Sequence, residues 1–353
     1  MQRLAWWAHL AAAAATLLAY AAPYLSPRAF WPASFAALAY PSLLLALVAL
    51  ALYWMYVRRW RWLLSVAVIA AGWGPLGSIV GFGGSPPDRP GADDAPGALT
   101  VASYNLLGGR RLYSEDTTRL GELTRAFAAC VEADVVAFEE SPAYEFVADA
   151  LERALDARGL RYHYRPPRSF VTLHARYPLR GARLVEVFNR ANGVVRADVP
   201  LPGGDTVRVI AAHLQSNSVR LRPALGQLAD GEVEATLWSL RVVARNYRHA
   251  ARTRVEQAEL VADLARASPY PTVVLGDLND VPLSYTLGTL RRAGLRDAFR
   301  ESGRGVGTTY PRSIPGLRID YVLAGGGLAA AAIDEIECGV SDHRGVRARL
   351  LRR

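Results

Sequence analysis

Residues 272–284 read TVVLGDLNDVPLS, and the way this stretch folds decides the rest of the chain. Thr272, Val273, Val274 and Leu275 make a short apolar, β-branched run that Gly276 cuts off, the pattern of a buried strand with an abrupt end. Asp277, Asn279 and Asp280 stand at that end. A rigid strand that delivers carboxylates and an amide to the rim of a core is a common way to position chemistry. The plainer alternative is a strand–turn–helix junction with Asp and Asn as turn and N-cap residues. The remainder of the chain decides between them.

Working outward, other strand-like runs end the same way. The strand predicted at 99–104 ends at Asn105, and the one at 134–138 ends at Glu139 and Glu140. The run at 207–212 ends at His213, the run from Ile319 carries Asp320 beside Tyr321, and Asp342 and His343 precede the last strand. Each has an ordinary explanation as a turn, a solvated end or a satisfied core histidine, but their recurrence favours a shared cause. A carboxylate within an apolar strand, such as Asp320, needs a partner.

Between these ends the pattern alternates helices near 117–132, 144–158, 232–267 and 283–292 with short strands, many of them hairpin-linked. The sheet is therefore expected to be mixed rather than purely parallel. Glu140, Asp342 and Asn105 offer hard oxygen ligands suited to Mg2+. His213, His343, Asp277, Asn279 and Asp320 supply the parts of phosphate-ester hydrolysis, in which a carboxylate orients water and cations stabilise the phosphoryl oxygens. Cysteine or histidine clusters with zinc spacing do not occur, nor does a Gly-x-Ser-x-Gly turn.

These segments, in this order, resemble the endonuclease/exonuclease/phosphatase superfamily. The resemblance runs from about residue 100 to 350, through Ser103-Tyr104-Asn105, 134–140, His213-Leu214-Gln215-Ser216, 276–284, Arg318-Ile319-Asp320-Tyr321 and Ser341-Asp342-His343. It implies an α/β four-layer sandwich, two mixed β-sheets flanked by helices. It also implies Glu140 as the main metal ligand with Asn105 and Asp342 near the metal, which is Mg2+, with Mn2+ or Ca2+ as alternatives. Asp277 then positions or deprotonates water, and Asn279 holds that water and the phosphate. His343 contacts the scissile phosphate, kept cationic by Asp320, and His213 is a second phosphate contact. Two departures stand out. Glu139 replaces a common glutamine and is expected to add negative charge near the metal, and His174 replaces a common serine.

The first 87 residues differ in kind. Runs 4–27, 29–57 and 62–87 are almost free of charge and each is long enough to cross a hydrocarbon core of roughly 30 Å. Three transmembrane helices are expected over 1–87, a Gly/Pro/Asp-rich linker over 83–97 and the catalytic domain over 98–353. Arg58, Arg59 and Arg61 between the second and third runs, with Arg3, place that side in the cytoplasm and the catalytic domain outside. Cys130 and Cys338 read as small buried apolar side chains, with a single bridge left open. All 41 basic residues are arginine, against 32 acids. Seven of them lie in 218–254, read either as a solvated helix face or, with Leu237 and Trp238, as a contact for anionic lipid headgroups or a polyanion.

The expected function is a membrane-tethered, extracytoplasmic, Mg2+-dependent phosphoesterase. Its expected partners are the bilayer and a phosphoester substrate (nucleic acid, phospholipid or small ester), with no obligate protein partner. The alternative is a non-catalytic scaffold on the same fold.

Overall fold

A computed structural model describes residues 2–83, 98–113, 117–189, 191–217, 233–312 and 316–353. The linker expected at 83–97 lies, apart from Gly83, outside the described residues.

The chain begins with helices α1 (Gln2–Ala21), α2 (Pro27–Phe30), α3 (Pro32–Tyr56), α4 (Trp62–Ala71) and α5 (Trp73–Leu76), then strand β1 (Val80–Phe82). Two six-stranded sheets follow. Sheet one contains β2 (Leu99–Asn105), β3 (Val135–Glu139), β4 (Tyr162–Tyr164), β5 (Thr172–Ala175), β13 (Leu328–Ile336) and β14 (Gly345–Arg352), in the order β13-β14-β2-β3-β5-β4. Sheet two runs β10-β12-β9-β8-β7-β6, from β6 (Arg180–Val187), β7 (Gly193–Pro200), β8 (Thr206–His213), β9 (Thr272–Asp277), β10 (Arg296–Asp297) and β12 (Asp320–Gly325). Each sheet mixes one parallel pair, β2–β3 or β8–β9, with antiparallel neighbours.

Side-chain alternation builds the layers. Val101, Val135, Ala137, Val209, Val273, Leu275 and Val322 face inward and form the core between the sheets. Their neighbours face outward: Ala102, Tyr104, Val136 and Phe138 pack under α6 (Leu120–Cys130) and α7 (Glu145–Asp156). On the other side Ile210, Val274, Tyr321 and Leu323 pack under α8 (Val233–Arg266) and α9 (Tyr285–Arg292). The central strands are buried on both faces, so β3, β9 and β12 read as continuous apolar runs rather than alternating ones. The four-layer sandwich expected from the sequence is the observed fold.

The third apolar run departs from expectation. Helix α4 has 10 residues, roughly 15 Å of rise, too short to span a bilayer as a helix. Gly72, Pro75 and Gly77 break it up. A Cβ on Gly72 would lie 2.0 Å from the Tyr20 hydroxyl oxygen, so glycine lets α1 approach there. The run then joins the sandwich, where β1 pairs antiparallel with β11 (Arg304–Val306). Among the described residues, the two helices long and apolar enough to cross a membrane are Gln2–Tyr24, 23 residues, and Pro32–Tyr56, 25 residues.

These helices dock on the sandwich. Ala19, Ala22, Ala33, Ala36, Ala37 and Tyr40 pack with Val281 and Leu283, directly after the strand end at Asp277. Tyr247 donates to the Ser34 carbonyl at 2.8 Å, Arg292 to that of Pro23 at 2.8 Å and Arg318 to that of Ser78 at 2.8 Å. Cys130 and Cys338, read as small buried apolar side chains, form a disulfide instead, with 6.0 Å between their Cα atoms. It ties the end of α6 to the segment between β13 and β14.

One substitution tests the strand end. Gly276 has φ 145°, and a Cβ there would lie 1.9 Å from the backbone oxygen of Ala212. Gly276→Ala is expected to cost about 3 kcal/mol or more, read as a lowered melting temperature of the full chain.

Candidate active site

The sheets bring their strand ends to one edge. In sheet two, β12 pairs with β9 so that Asp320 stands opposite Asp277. In sheet one, β2 pairs with β3 so that Asn105 stands opposite Glu139. Asn105 bridges the two sheets: its Nδ2 donates to Asp277 Oδ2 at 3.0 Å and faces Glu140 Oε1 at 3.4 Å. Its Oδ1 accepts from the Leu107 N–H at 3.0 Å.

Asp277 is the hub. Besides Asn105, its Oδ1 accepts the Asn279 backbone N–H at 2.9 Å. Its Oδ2 lies 3.6 Å from His213 Nε2 and 3.9 Å from His343 Nε2. Burial, then the Asp320 charge, pushes Asp277 up to about 6, against the pull of His343, His213 and the Asn279 N–H. Asn279 is held by its Nδ2 donating to the Leu214 carbonyl at 3.0 Å.

His343 and Asp320 form a dyad. The imidazole Nδ1 lies 3.0 Å from Asp320 Oδ2 and 3.2 Å from Oδ1. Burial opposes charge on His343, but Asp320, and then Asp277 and Asp342, outweigh it and raise the group to about 10. The ring is therefore an imidazolium at neutral pH, its Nε2–H turned toward the space beside Asp277. Tyr310 packs against it, ring centroids 4.9 Å apart. His213 is almost fully buried, its Nδ1 2.7 Å from the Ala191 carbonyl, which leaves Nε2 facing Asp277 and, at 4.0 Å, Glu140.

Glu139 and Glu140 separate sharply. Glu139 is fully buried, and the Ser103 hydroxyl lies 3.1 Å from both of its oxygens. Burial, then the charges of Asp320 and Asp277, hold its pKa well above the usual carboxylate range. Glu140 has φ 45°, a left-handed conformation costing roughly 1–3 kcal/mol off glycine. That turn sends its side chain out to the rim, where it remains 36 % exposed. Asn279 pays the same strain, φ 51°. His174 lies outside this cluster; burial, then His163 and Arg165, lower it to about 3, and it packs as a neutral ring against Phe138.

Of the oxygen ligands expected from the sequence, Asn105 and Glu140 are brought together, 3.4 Å apart. Glu140 is half open, and Asn105 Oδ1 keeps a second lone pair. Asp342 Oδ1 is buried with no hydrogen-bond partner among the described residues, while its Oδ2 lies 3.8 Å from Arg312 Nε. Asp342 makes no hydrogen bond to the other candidate ligands; the nearby Tyr310 hydroxyl is raised by burial and by Asp342, then by Asp277 and Glu140. Asp277, Asp320 and His343 also converge, one donor atom of each lying within 4.8 Å of the others.

Sequence reasoning missed the Ser103–Glu139 pair, Tyr310 and the role of Asp280. Asp280 accepts from Arg254 Nε at 3.1 Å and Thr286 Oγ1 at 2.7 Å, bracing the loop after Asp277 from α8 and α9. The only signal for it was the run Asp277-Leu278-Asn279-Asp280 itself.

An endonuclease/exonuclease/phosphatase of Beutenbergia cavernae is 21% identical, with 72% of each chain covered and a TM-score of 0.49. TDP2 of D. rerio, solved with a single-strand DNA product, is 16% identical over 72% of this chain and 99% of its own, TM-score 0.49. Sphingomyelinase C of Streptomyces griseocarneus is 17% identical over 71% of this chain and 99% of its own, TM-score 0.45. No curated protein matches the chain. Residues 2–79 match a family model described as a domain of unknown function, DUF8431. Residues 102–343 match the model of the Endonuclease/Exonuclease/phosphatase family, and the chain belongs to that family.

Proposed function

We propose that the chain is a membrane-anchored, Mg2+-dependent phosphoesterase that hydrolyses its substrate by attack of a water oriented by Asp277. The observation that carries this reading is the placement of Asp277 between two imidazoles and an amide, 3.6 Å from His213, 3.9 Å from His343 and 3.0 Å from Asn105. A carboxylate raised to about 6 is ionised at neutral pH yet basic enough to take a proton from water. The His343 imidazolium, fixed by Asp320, presents a positive donor to a phosphoryl oxygen as charge builds there. His213 Nε2 and Asn279 flank the same space from the other side. Glu140, Asn105 and Asp342 would hold the cation, which when bound supplies Lewis-acid stabilisation of the phosphoryl oxygens.

The two glutamates give a paired test. Glu139→Gln replaces a buried acid that points to Ser103 and away from the rim with a near-isostere, so activity on bis(p-nitrophenyl) phosphate is expected to stay within about three-fold. Glu140→Gln removes a ligand charge and is expected to lower activity at subsaturating Mg2+ by at least about 100-fold. Equal effects of the two substitutions would overturn the assignment.

The anchor reading rests on α1 and α3, whose outer faces expose Leu4, Trp7, Leu45, Val48 and Leu52. The turn between them packs on the catalytic domain, while Arg58, Arg59 and Arg61 lie in the turn at the opposite end of α3. If that positive charge is retained in the cytoplasm, the catalytic domain is extracytoplasmic and residues 62–79, with α4 and α5, return the chain across the bilayer to it. The disulfide agrees, since such bonds persist in oxidising compartments.

A further inference from the structure

The apolar stripe of α8 runs past the edge of the domain it belongs to. In the second half of the helix, Ala251, Val255, Ala258 and Ala262 are buried. The same helical face continues toward the N-terminus as Val233, Leu237 and Leu240, which are 62%, 50% and 43% exposed. Beside this stripe Arg241, Arg245, Arg248 and Arg252 recur at the spacing of one helical face. An apolar stripe bordered by an arginine row is the pattern of a helix lying in a membrane interface.

Position names the occupant. Helix α8 crosses the turn between the two apolar helices: Arg28 pairs with Glu256 at 2.8 Å, Arg252 Nη2 donates to the Arg28 carbonyl at 3.2 Å, and Tyr247 bonds Ser34. Moving N-terminally along α8, its partners thus advance from Arg28 to Ser34, into the first turn of α3. The exposed stripe begins just beyond, beside the point where α3 would enter a bilayer. A nucleic acid would use the arginines but leave three large aliphatic side chains unexplained.

We infer that the N-terminal half of α8 lies in the headgroup layer of the bilayer that anchors the chain, its aliphatic stripe toward the acyl chains and its arginines on anionic lipid phosphates. Helix α8 also braces the catalytic loop through Arg254 and Asp280. The active site is then held at the lipid surface, and its substrate class is a phosphoester carried by that surface. The inference rests on the anchor reading above.

The test uses the full chain in vesicles of phosphatidylcholine, with or without an equal part of phosphatidylglycerol. Both native cysteines are in the disulfide, so Leu237→Cys takes a fluorescent maleimide selectively, and Tyr162→Cys, on β4 in the edge strand of sheet one, serves as comparison. Lipid carrying a shallow nitroxide is expected to cut emission at position 237 by about two-fold or more and leave position 162 unchanged. Joint Arg241→Glu, Arg245→Glu and Arg248→Glu substitution is expected to reverse most of that quenching in the anionic vesicles. Position 237 behaving like position 162, in protein that resists alkaline carbonate extraction, overturns the inference alone. Protein that carbonate releases overturns the anchor reading and this inference with it.

Discussion

Asp277→Asn is expected to reduce hydrolysis of a phosphodiester by roughly 10³–10⁴-fold, while the protein keeps its fold. The asparagine preserves the shape of the hub and can still accept the Asn279 N–H, now 2.9 Å from Oδ1. What it loses is the basic oxygen on the side of His213 and His343, the atom that takes the proton of the attacking water. It also loses the charge that Asp320 and burial raise to about 6. The loss therefore falls on kcat rather than KM, because water is activated only on the way to the transition state. In the wild type, activity rises with pH as Asp277 ionises, at or below about 6, since a bound cation favours the ionised form. That acid limb disappears from the residual activity of the variant. Retention of the limb would assign the base elsewhere.

His343→Ala is expected to cost about 10³-fold or more, through the loss of a fixed cationic donor to the phosphoryl group. Asp320→Asn separates charge from presence. His343 is raised to about 10 because Asp320 lies 3.0 Å from its Nδ1, so the imidazolium is active below that value and lost above it. Without the Asp320 charge, burial pulls the pKa down toward or below the ordinary value of about 6.5. The alkaline limb of the rate profile should thus move from near 10 to several units lower, with activity partly retained at acid pH. An unchanged alkaline limb in Asp320→Asn would mean that His343 does not act as the cation.

The periodicity of the chain made most of the sandwich legible. Runs such as Val273–Leu275 and Val135–Phe138, apolar throughout, belong to strands covered on both faces, and their polar ends had no ordinary partner in sequence. The positions of His213, Asp277, Asp320 and His343 could be read because each ends or flanks such a run. What could not be read depends on register and backbone hand. Glu139 and Glu140 are neighbours with the same chemistry, and only the positive φ at Glu140 sends one inward to Ser103 and the other to the rim. Pairing of Cys130 with Cys338 spans 208 residues and follows no spacing rule, so it waits on the fold. The third apolar run matched a single spanning helix by composition, but glycine and proline after Ala71 break that helix, and Val80–Phe82 takes a partner strand.

Docking of Val281 and Leu283 on Ala33, Ala37 and Tyr40 was equally hidden, since it joins the loop after the catalytic strand to helices that composition assigns to another domain. That contact makes the N-terminal helices part of the site's support, in keeping with the Arg254–Asp280 brace from α8.

The central claim is that Glu140, Asn105 and Asp342 gather a divalent cation beside Asp277 and His343. The most direct measurement is hydrolysis of bis(p-nitrophenyl) phosphate by the full chain after exhaustive EDTA treatment, followed by re-addition of Mg2+. Activity should vanish with the chelator and return with the ion in the wild type, and fail to return at the same Mg2+ concentration in Glu140→Gln. Undiminished turnover in EDTA would contradict the account.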